Sequence, residues 1–202
     1  MSVILRFFWV LVLLALSACQ TTNETSTRAA SAEISFPADP EPIAALSDKL
    51  EVAALARAIF ALSPNVDSEE AARAAAISYS YTALLRGEYQ ITDPPLIHNA
   101  KVNAGIKPRG LCWHWAEDME RRLQAENFET LDLHRAIANH DNIRVDHSTA
   151  IISAKGATMF DGIVVDPWRK GGILTWIGVM DDRRYKWAPR SEVLKIYAAR
   201  RN

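Results

Sequence analysis

Cys112 stands where a loop gives way to a helix, and that position suits a reactive thiol. Pro108 and Gly110 interrupt the helical pattern before it, and a helical stretch follows it. The N-terminus of a helix stabilises a thiolate, and the thiolate is the form of cysteine that acts as a nucleophile. We therefore predict that Cys112 is a nucleophile. The alternative interpretation is a small buried hydrophobic residue.

A histidine and an aspartate follow in the order that a thiol enzyme requires. Such an enzyme needs an imidazole beside the sulfur and a third group that orients the imidazole. His147 opens one predicted strand, and Asp166 ends the next. In an antiparallel hairpin of these strands the two side chains would lie side by side. The carboxylate could then accept from one ring nitrogen while the other nitrogen faces Cys112.

This arrangement, with a cysteine on a helix and the other two residues on successive strands, resembles the transglutaminase-like branch of the papain-like fold. The resemblance rests on three segments, which are Gly110-Leu111-Cys112-Trp113-His114-Trp115, Asp146-His147-Ser148 and Val165-Asp166-Pro167-Trp168. It implies that Cys112 is the nucleophile, His147 the base and Asp166 the orienting acid.

The resemblance also has implications for substrate binding. It implies that the backbone N–H of Cys112 is the first oxyanion donor. The second donor is left unassigned, with Trp113 and Asn103 as the residues considered. Trp113 and Trp168 are predicted to wall a substrate groove, because papain-like sites often bind extended chains between aromatic walls. The alternative is that these tryptophans pack in the core.

The remaining histidines suit the role of the base less well. His114 follows Cys112 by two residues, which on a helix places it on a different face, so we expect a packing or rim residue. His134 lies on the polar side of a strand pattern, and His140 lies in a polar loop. Because the chain has no compact ligand pattern such as Cys-x-x-Cys or His-Glu-x-x-His, we expect no metal ion and no cofactor.

Helical periodicity comes first along the chain and alternation second, which predicts an α+β domain over residues 43–202. N-terminal helices followed by an antiparallel sheet agree with the papain-like, transglutaminase-like core that the resemblance implies. The predicted helices are Ile43 to Leu62, Asp67 or Ser68 to Arg86 with a stop at Gly87, Pro95 to Val102, and Leu111 to Asn127. The predicted strands are Leu131 to Ile137, His147 to Ser153, Gly162 to Asp166, and Leu174 to Val179. The basic stretch from Arg183 to Arg201 is predicted to be a solvated face and a frayed end.

The N-terminus has the features of an export signal. Arg6 is followed by the uncharged apolar run Phe7 to Leu16 and then by Leu16-Ser17-Ala18-Cys19. The run is too short for a spanning helix and ends in small residues, as a cleavage site does. The last four residues resemble the lipobox of bacterial lipoproteins, which implies removal of residues 1–18 as a signal peptide and lipid on Cys19. The polar residues 19–42 are predicted to be a flexible tether.

These features together bound the function. A lipid on Cys19 implies an envelope protein held to membrane lipid. Gln20 follows the cysteine, where an Asp would suggest retention in the inner membrane, so the outer membrane is favoured. The formal net charge of −1 argues against a nucleic-acid partner. The leading prediction is a thiol enzyme that acts on amide bonds of a peptide or the cell wall, as a peptidase, amidase or transamidase. The alternative is a non-catalytic envelope lipoprotein that uses the same fold as a binding or assembly module.

Overall fold

The computed structural model describes residues 43–141 and 146–200. The predicted signal peptide (residues 1–18), the predicted lipidation site Cys19 and the whole of the predicted tether (residues 19–42) lie outside these described residues. No helix within the described ranges is long and apolar enough to cross a membrane.

Four helices precede the strands and a fifth follows them, and helices and strands are segregated along the chain, so the α+β class is confirmed. The helices are α1 (Ile43–Phe60), α2 (Ser68–Glu88), α3 (Pro95–Asn103), α4 (Cys112–Gln124) and α5 (Arg190–Ala199). The strands are β1 (Leu131–Ala138), β2 (His147–Ala154), β3 (Ile163–Asp166), β4 (Thr175–Gly178) and β5 (Trp187–Pro189). The five strands form one antiparallel sheet in the order β4-β3-β2-β1-β5.

The central strand β2 is buried along its whole length because both faces of the sheet are covered. Ala150 and Ile152 point into the larger core, which the sheet shares with α1, α2 and α4. Ile151, between them, points to the opposite face and packs with Tyr185 and Trp187. Alternate side chains of β2 therefore belong to the hydrophobic cores on the two faces of the sheet.

Two sequence predictions need correction. Gly87 does not end α2, which continues to Glu88. The segment after Arg183 is not a frayed end, because it forms β5 on the edge of β1 and then α5, whose Val193 is fully buried. Most residues of α5 are exposed and many are charged, so the sequence of this segment resembled that of an unstructured end. The predicted Asp67 cap is confirmed, because its carboxylate accepts from the amides of Glu69 and Glu70.

Candidate active site

His147 and Asp166 come together at one end of the central strands. His147 is the first residue of β2 and Asp166 is the last residue of β3, which pairs with β2 in antiparallel register. Nε2 of His147 lies 2.6 Å from Oδ2 of Asp166. Both side chains are almost fully buried. The hairpin thus places the two residues as the sequence predicted.

The ionised state of this pair is favoured despite its burial. Burial by itself would lower the pKa of His147, but the charge and hydrogen bond of Asp166, with a smaller contribution from Cys112, raise it to about 9. Burial would likewise raise the pKa of Asp166, but His147 and Arg169 hold it below its ordinary value. At neutral pH the site therefore contains an imidazolium and a carboxylate.

Arg169 extends this pair into a longer chain of charges. Its Nε lies 3.0 Å from Oδ2 of Asp166, and its backbone N–H donates to Oδ1 at 3.1 Å. Its Nη2 donates to Asp182 at 2.7 Å, and Trp187 donates to the same carboxylate oxygen at 3.0 Å. The alternating charges of His147, Asp166, Arg169 and Asp182 sum to zero when all four are ionised. That balance is what allows so many charges to be buried together.

Aromatic rings fix the imidazole plane. The ring centroid of His147 lies 4.6 Å from Tyr185, 4.7 Å from Trp168 and 5.4 Å from Trp187. Such contacts restrict rotation of the ring and exclude water from it. The guanidinium of Arg169 lies 4.8 Å from the ring centroid of Tyr185, so the same tyrosine contacts both the base and the charge chain.

Cys112 lies close to the residue that precedes His147. It is half-buried, and its sulfur lies 3.8 Å from the carbonyl oxygen of Asp146. The sulfur is near enough to the imidazole to help raise the pKa of His147. Nδ1 of His147 is buried and makes no hydrogen bond in the described part of the chain, so it is the ring nitrogen left free for a reacting group.

The conformation of the loop before Cys112 is fixed by Gly110 and by the side chains of His98 and Trp115. Gly110 has a φ of +121°, and a Cβ there would collide with the imidazole of His98. His98 contacts the carbonyl of Arg109 at 2.8 Å, and Trp115 donates to the carbonyl of Gly110 at 3.1 Å. These contacts set the direction in which the chain enters α4.

His114 completes this loop. Its Nδ1 accepts from the backbone amides of Gly110 and Leu111, each at 3.2 Å. Burial and the charge of Arg109 lower the pKa of His114, so the ring stays neutral and keeps the lone pair that this role needs. His114 is therefore buried and packed as expected, and it also bonds the backbone at the start of the cysteine helix.

A buried carboxylate ties the loop to the helix. Asp118 of α4 accepts from Nη2 of Arg109 at 3.0 and 3.1 Å, and it also accepts from the hydroxyl of Tyr89. Arg121 contacts the same carboxylate from the exposed side of α4. Arg109 is the one of these partners that belongs to the loop, so this ion pair restrains the segment that leads into Cys112.

The start of α4 offers two backbone donors beside the sulfur. The amides of His114 and Trp115 both bond to the carbonyl of Leu111, at 2.9 and 3.2 Å. The amides of Cys112 and Trp113 have no acceptor in the described part of the chain, as expected for the first turn of a helix. Asn103, the other residue considered as an oxyanion donor, is exposed at the end of α3. It is not among the residues that line the cleft beside His147.

A cleft of about 680 Å³ opens onto the histidine. Its lining includes Asp146, His147, Trp168 and Tyr185, together with the start of α3. Trp168 lines the cleft, whereas Trp113 is outside the lining and its indole packs against the ring of His114. Cys112 is also outside the lining and is next to it through the carbonyl of Asp146.

The other predicted residues lie apart from this site. His134 lies on β1, and its Nε2 is 2.8 Å from the hydroxyl of Ser153 on β2. His140 lies beside the exposed Asp141. Within residues 43–141 and 146–200, no group of three or more His, Cys, Asp or Glu side chains is arranged to hold a metal ion.

Sequence reasoning missed Arg169, Asp182 and Asn99. Arg169 follows Asp166 by three residues, and that spacing was the available signal. Asp182 is sixteen residues from Asp166 along the chain, and only the fold brings its carboxylate to Arg169. Asn99 lines the cleft, and its Oδ1 accepts from Nε1 of Trp168 at 3.0 Å. No sequence pattern marks that contact.

No family model matches this chain, and neither the curated proteins nor the solved structures contain a match to it.

Proposed function

We propose that this protein is a thiol enzyme that acts on amide bonds through Cys112, His147 and Asp166, on a transglutaminase-like, papain-like core. The observation that carries the proposal is the state of His147. It is buried and bonded to Asp166 through Nε2, its Nδ1 makes no hydrogen bond in the described part of the chain, and Cys112 lies close enough to help raise its pKa. A raised pKa keeps its imidazole protonated at neutral pH, which is the partner that a thiolate requires.

The chemistry follows from these positions. The Cys112 thiolate attacks the carbonyl carbon of an amide, and the resulting oxyanion lies near the free amides of Cys112 and Trp113. His147 gives its Nδ1 proton to the departing amine as the C–N bond breaks, which leaves a thioester on Cys112. A water molecule or a second amine then attacks the thioester, His147 takes its proton, and the free thiolate returns. Hydrolysis and transamidation share this course up to the last step.

The location is part of the proposal. The lipobox-like residues before Cys19 support a lipid-anchored envelope protein, with the outer membrane favoured. The substrate would then lie within reach of a membrane, as a peptide or a cell-wall amide. Metabolic labelling with an alkyne fatty acid tests the anchor: the wild type should be labelled, and a Cys19→Ala variant should not.

The test of the catalytic proposal is the Cys112→Ala variant. Activity should fall to background on whichever substrate the wild type uses among a labelled protein, soluble peptidoglycan fragments, and a glutamine peptide offered with a fluorescent amine. His147→Ala should behave alike, whereas His134→Ala, a histidine on the neighbouring strand that contacts Ser153, should retain activity. Unchanged turnover by folded Cys112→Ala would contradict the proposal.

One observation favours the second candidate function, a non-catalytic envelope module. Cys112 does not line the cleft, so a ligand could occupy the cleft without meeting the sulfur. Alkylation by iodoacetamide separates the two functions without any substrate. An ion-paired thiolate should react readily at pH 6, whereas an inert thiol should react only as the pH approaches that of an ordinary thiol pKa, about 8.5.

A further inference from the structure

The cleft beside His147 has one wall that is apolar and largely uncovered. Pro94, Pro95, Leu96 and Ile97 form this wall at the start of α3. Leu96 is 72% exposed and Ile97 is 52% exposed, although both are large aliphatic residues. Two such neighbours on the rim of a concave surface are typical of a binding site, because their exposure to water is unfavourable until something covers them.

The strongest charge in the cleft is already neutralised. Arg169 lines the cleft, but its guanidinium is held by Asp166 and Asp182. Arg184 lies with its guanidinium 5.4 Å from the ring centroid of Tyr185. The wall formed by residues 94–97 carries no side-chain hydrogen-bonding group. A sugar ring would therefore leave its hydroxyls unpaired along that wall, whereas an apolar side chain would fit it.

The side-chain amide of Asn99 offers a donor at the cleft. The indole N–H of Trp168 can only donate, so the atom of Asn99 that it contacts is the oxygen. The side-chain NH₂ of Asn99 is the group that remains, and Asn99 lines the same cleft as the apolar wall. Trp168 in turn packs on His147, so this amide has a fixed relation to the proposed base.

We propose that the cleft binds an extended peptide, with a large apolar side chain against Leu96 and Ile97 and a main-chain carbonyl accepting from Asn99. This inference rests on the proposed function, because it takes Cys112 as the group that attacks the bound chain. It names a peptide with an apolar residue near the scissile amide as the substrate, in preference to a sugar-linked wall amide.

The experiment uses the full-length protein and two readouts. The first is cleavage of a positional library of internally quenched peptides. The second is the protection of Cys112 from iodoacetamide by acetylated dipeptide amides that differ in one side chain. The wild type should prefer Leu, Ile, Met or Phe at one position, and the same side chains should protect Cys112 best.

Substitutions in the wall should remove this preference. In Leu96→Ser combined with Ile97→Ser, KM for the apolar peptides should rise roughly tenfold or more, with kcat nearly unchanged. Ile106→Ser is the matched control, because Ile106 is 68% exposed just after α3 but does not line the cleft. Asn99→Asp keeps the acceptor for Trp168 and removes the NH₂ donors, so kcat/KM should fall while the fold is retained.

The outcomes separate this inference from the proposed function. Loss of all alkylation at pH 6 together with full activity of Cys112→Ala would remove the proposed function itself. Cleavage that depends on Cys112 but ignores the wall variants, or that prefers charged side chains, would overturn only the peptide inference. Where no peptide is cleaved, the protection assay decides it, because equal protection by all dipeptide amides, or protection by peptidoglycan fragments alone, overturns it.

Discussion

The two halves of the candidate site are stabilised by different kinds of contact. His147 and Asp166 lie on the central strands of a sheet, and their neighbours Arg169 and Asp182 are buried ionic groups. Cys112 lies at the start of a helix, and a loop with a half-buried ion pair to Asp118 leads into it. The half with the base is therefore part of the folded core. The half with the nucleophile lies at the edge of that core, where the ion pair between Arg109 and Asp118 restrains the loop.

This difference predicts how each half responds to substitution. A change in the base half removes charges from a buried chain and should affect stability and chemistry together. A change in the loop should alter the position of the sulfur while the core stays intact.

Asp166→Asn should have the largest effect. It removes the charge that keeps His147 protonated, so turnover and alkylation of Cys112 at pH 6 should fall on the order of 10³-fold. It also leaves Arg169 short of one carboxylate, and urea unfolding should show a loss of about 3 kcal/mol. Asp132→Asn, which breaks an exposed pair with Lys155, is the control and should cost less than about 1 kcal/mol. If the two variants lose equal stability and activity, the buried chain of charges contributes no more than an exposed ion pair does.

Stability should fall as the pH rises through the range in which His147 titrates. Burial alone would lower the pKa of His147, but Asp166, with a smaller contribution from Cys112, raises it from 6.5 to about 9, so the folded protein keeps a proton that the unfolded chain releases. The stabilisation is complete below pH 6.5 and is lost as the pH approaches 9, by about 3 kcal/mol. Urea unfolding of Cys112→Ala between pH 6 and pH 9 measures the part due to Asp166 without thiol titration. The loss should be somewhat smaller in this variant than in the wild type, and a flat profile would refute the prediction.

Charges further along the chain should shift the pKa of His147 in opposite directions. Asp182→Asn removes a negative charge and should lower it, whereas Arg169→Gln removes a positive charge and should raise it, each by about one unit or less. Titration of the imidazole followed by NMR gives both values. Shifts of the same sign would mean that the two residues act only by packing.

The smallest effect is expected in the loop. Arg109→Gln should loosen the segment before Cys112 and lower kcat/KM about tenfold, with a stability loss of about 1 kcal/mol. Arg121→Gln is the matched control, because Arg121 contacts the same Asp118 from the exposed face of α4. If both variants lose activity equally, Asp118 serves only to stabilise the helix.

Much of the fold and part of the site could be predicted from the sequence. The Asp67 cap and the positions of β1 and β2 are local signals, and the structure agrees with them. The end of α2 and the order of the C-terminal segment were predicted incorrectly. The order of the C-terminal segment depends on contacts with distant residues, such as the pairing of Trp187 with Ala138.

The same division applies to the site. Its residue types and their order were readable, because a cysteine at a helix start and two polar residues at strand ends have local patterns. The groove role of Trp113 was predicted from its sequence proximity to Cys112, which does not give the direction of an indole. In the fold this indole packs on His114 and lies outside the lining of the cleft.

The sequence by itself determined the α+β class, the position of Cys112 at the start of a helix, and the hairpin that joins His147 to Asp166. Those features arise from local propensity, capping and strand alternation. The tertiary structure alone decided that Asp182 reaches Arg169, that Asn99 fixes Trp168, and that the wall of α3 faces the histidine. Each of these joins segments far apart in the chain, and such contacts are selected by the packing of the whole domain.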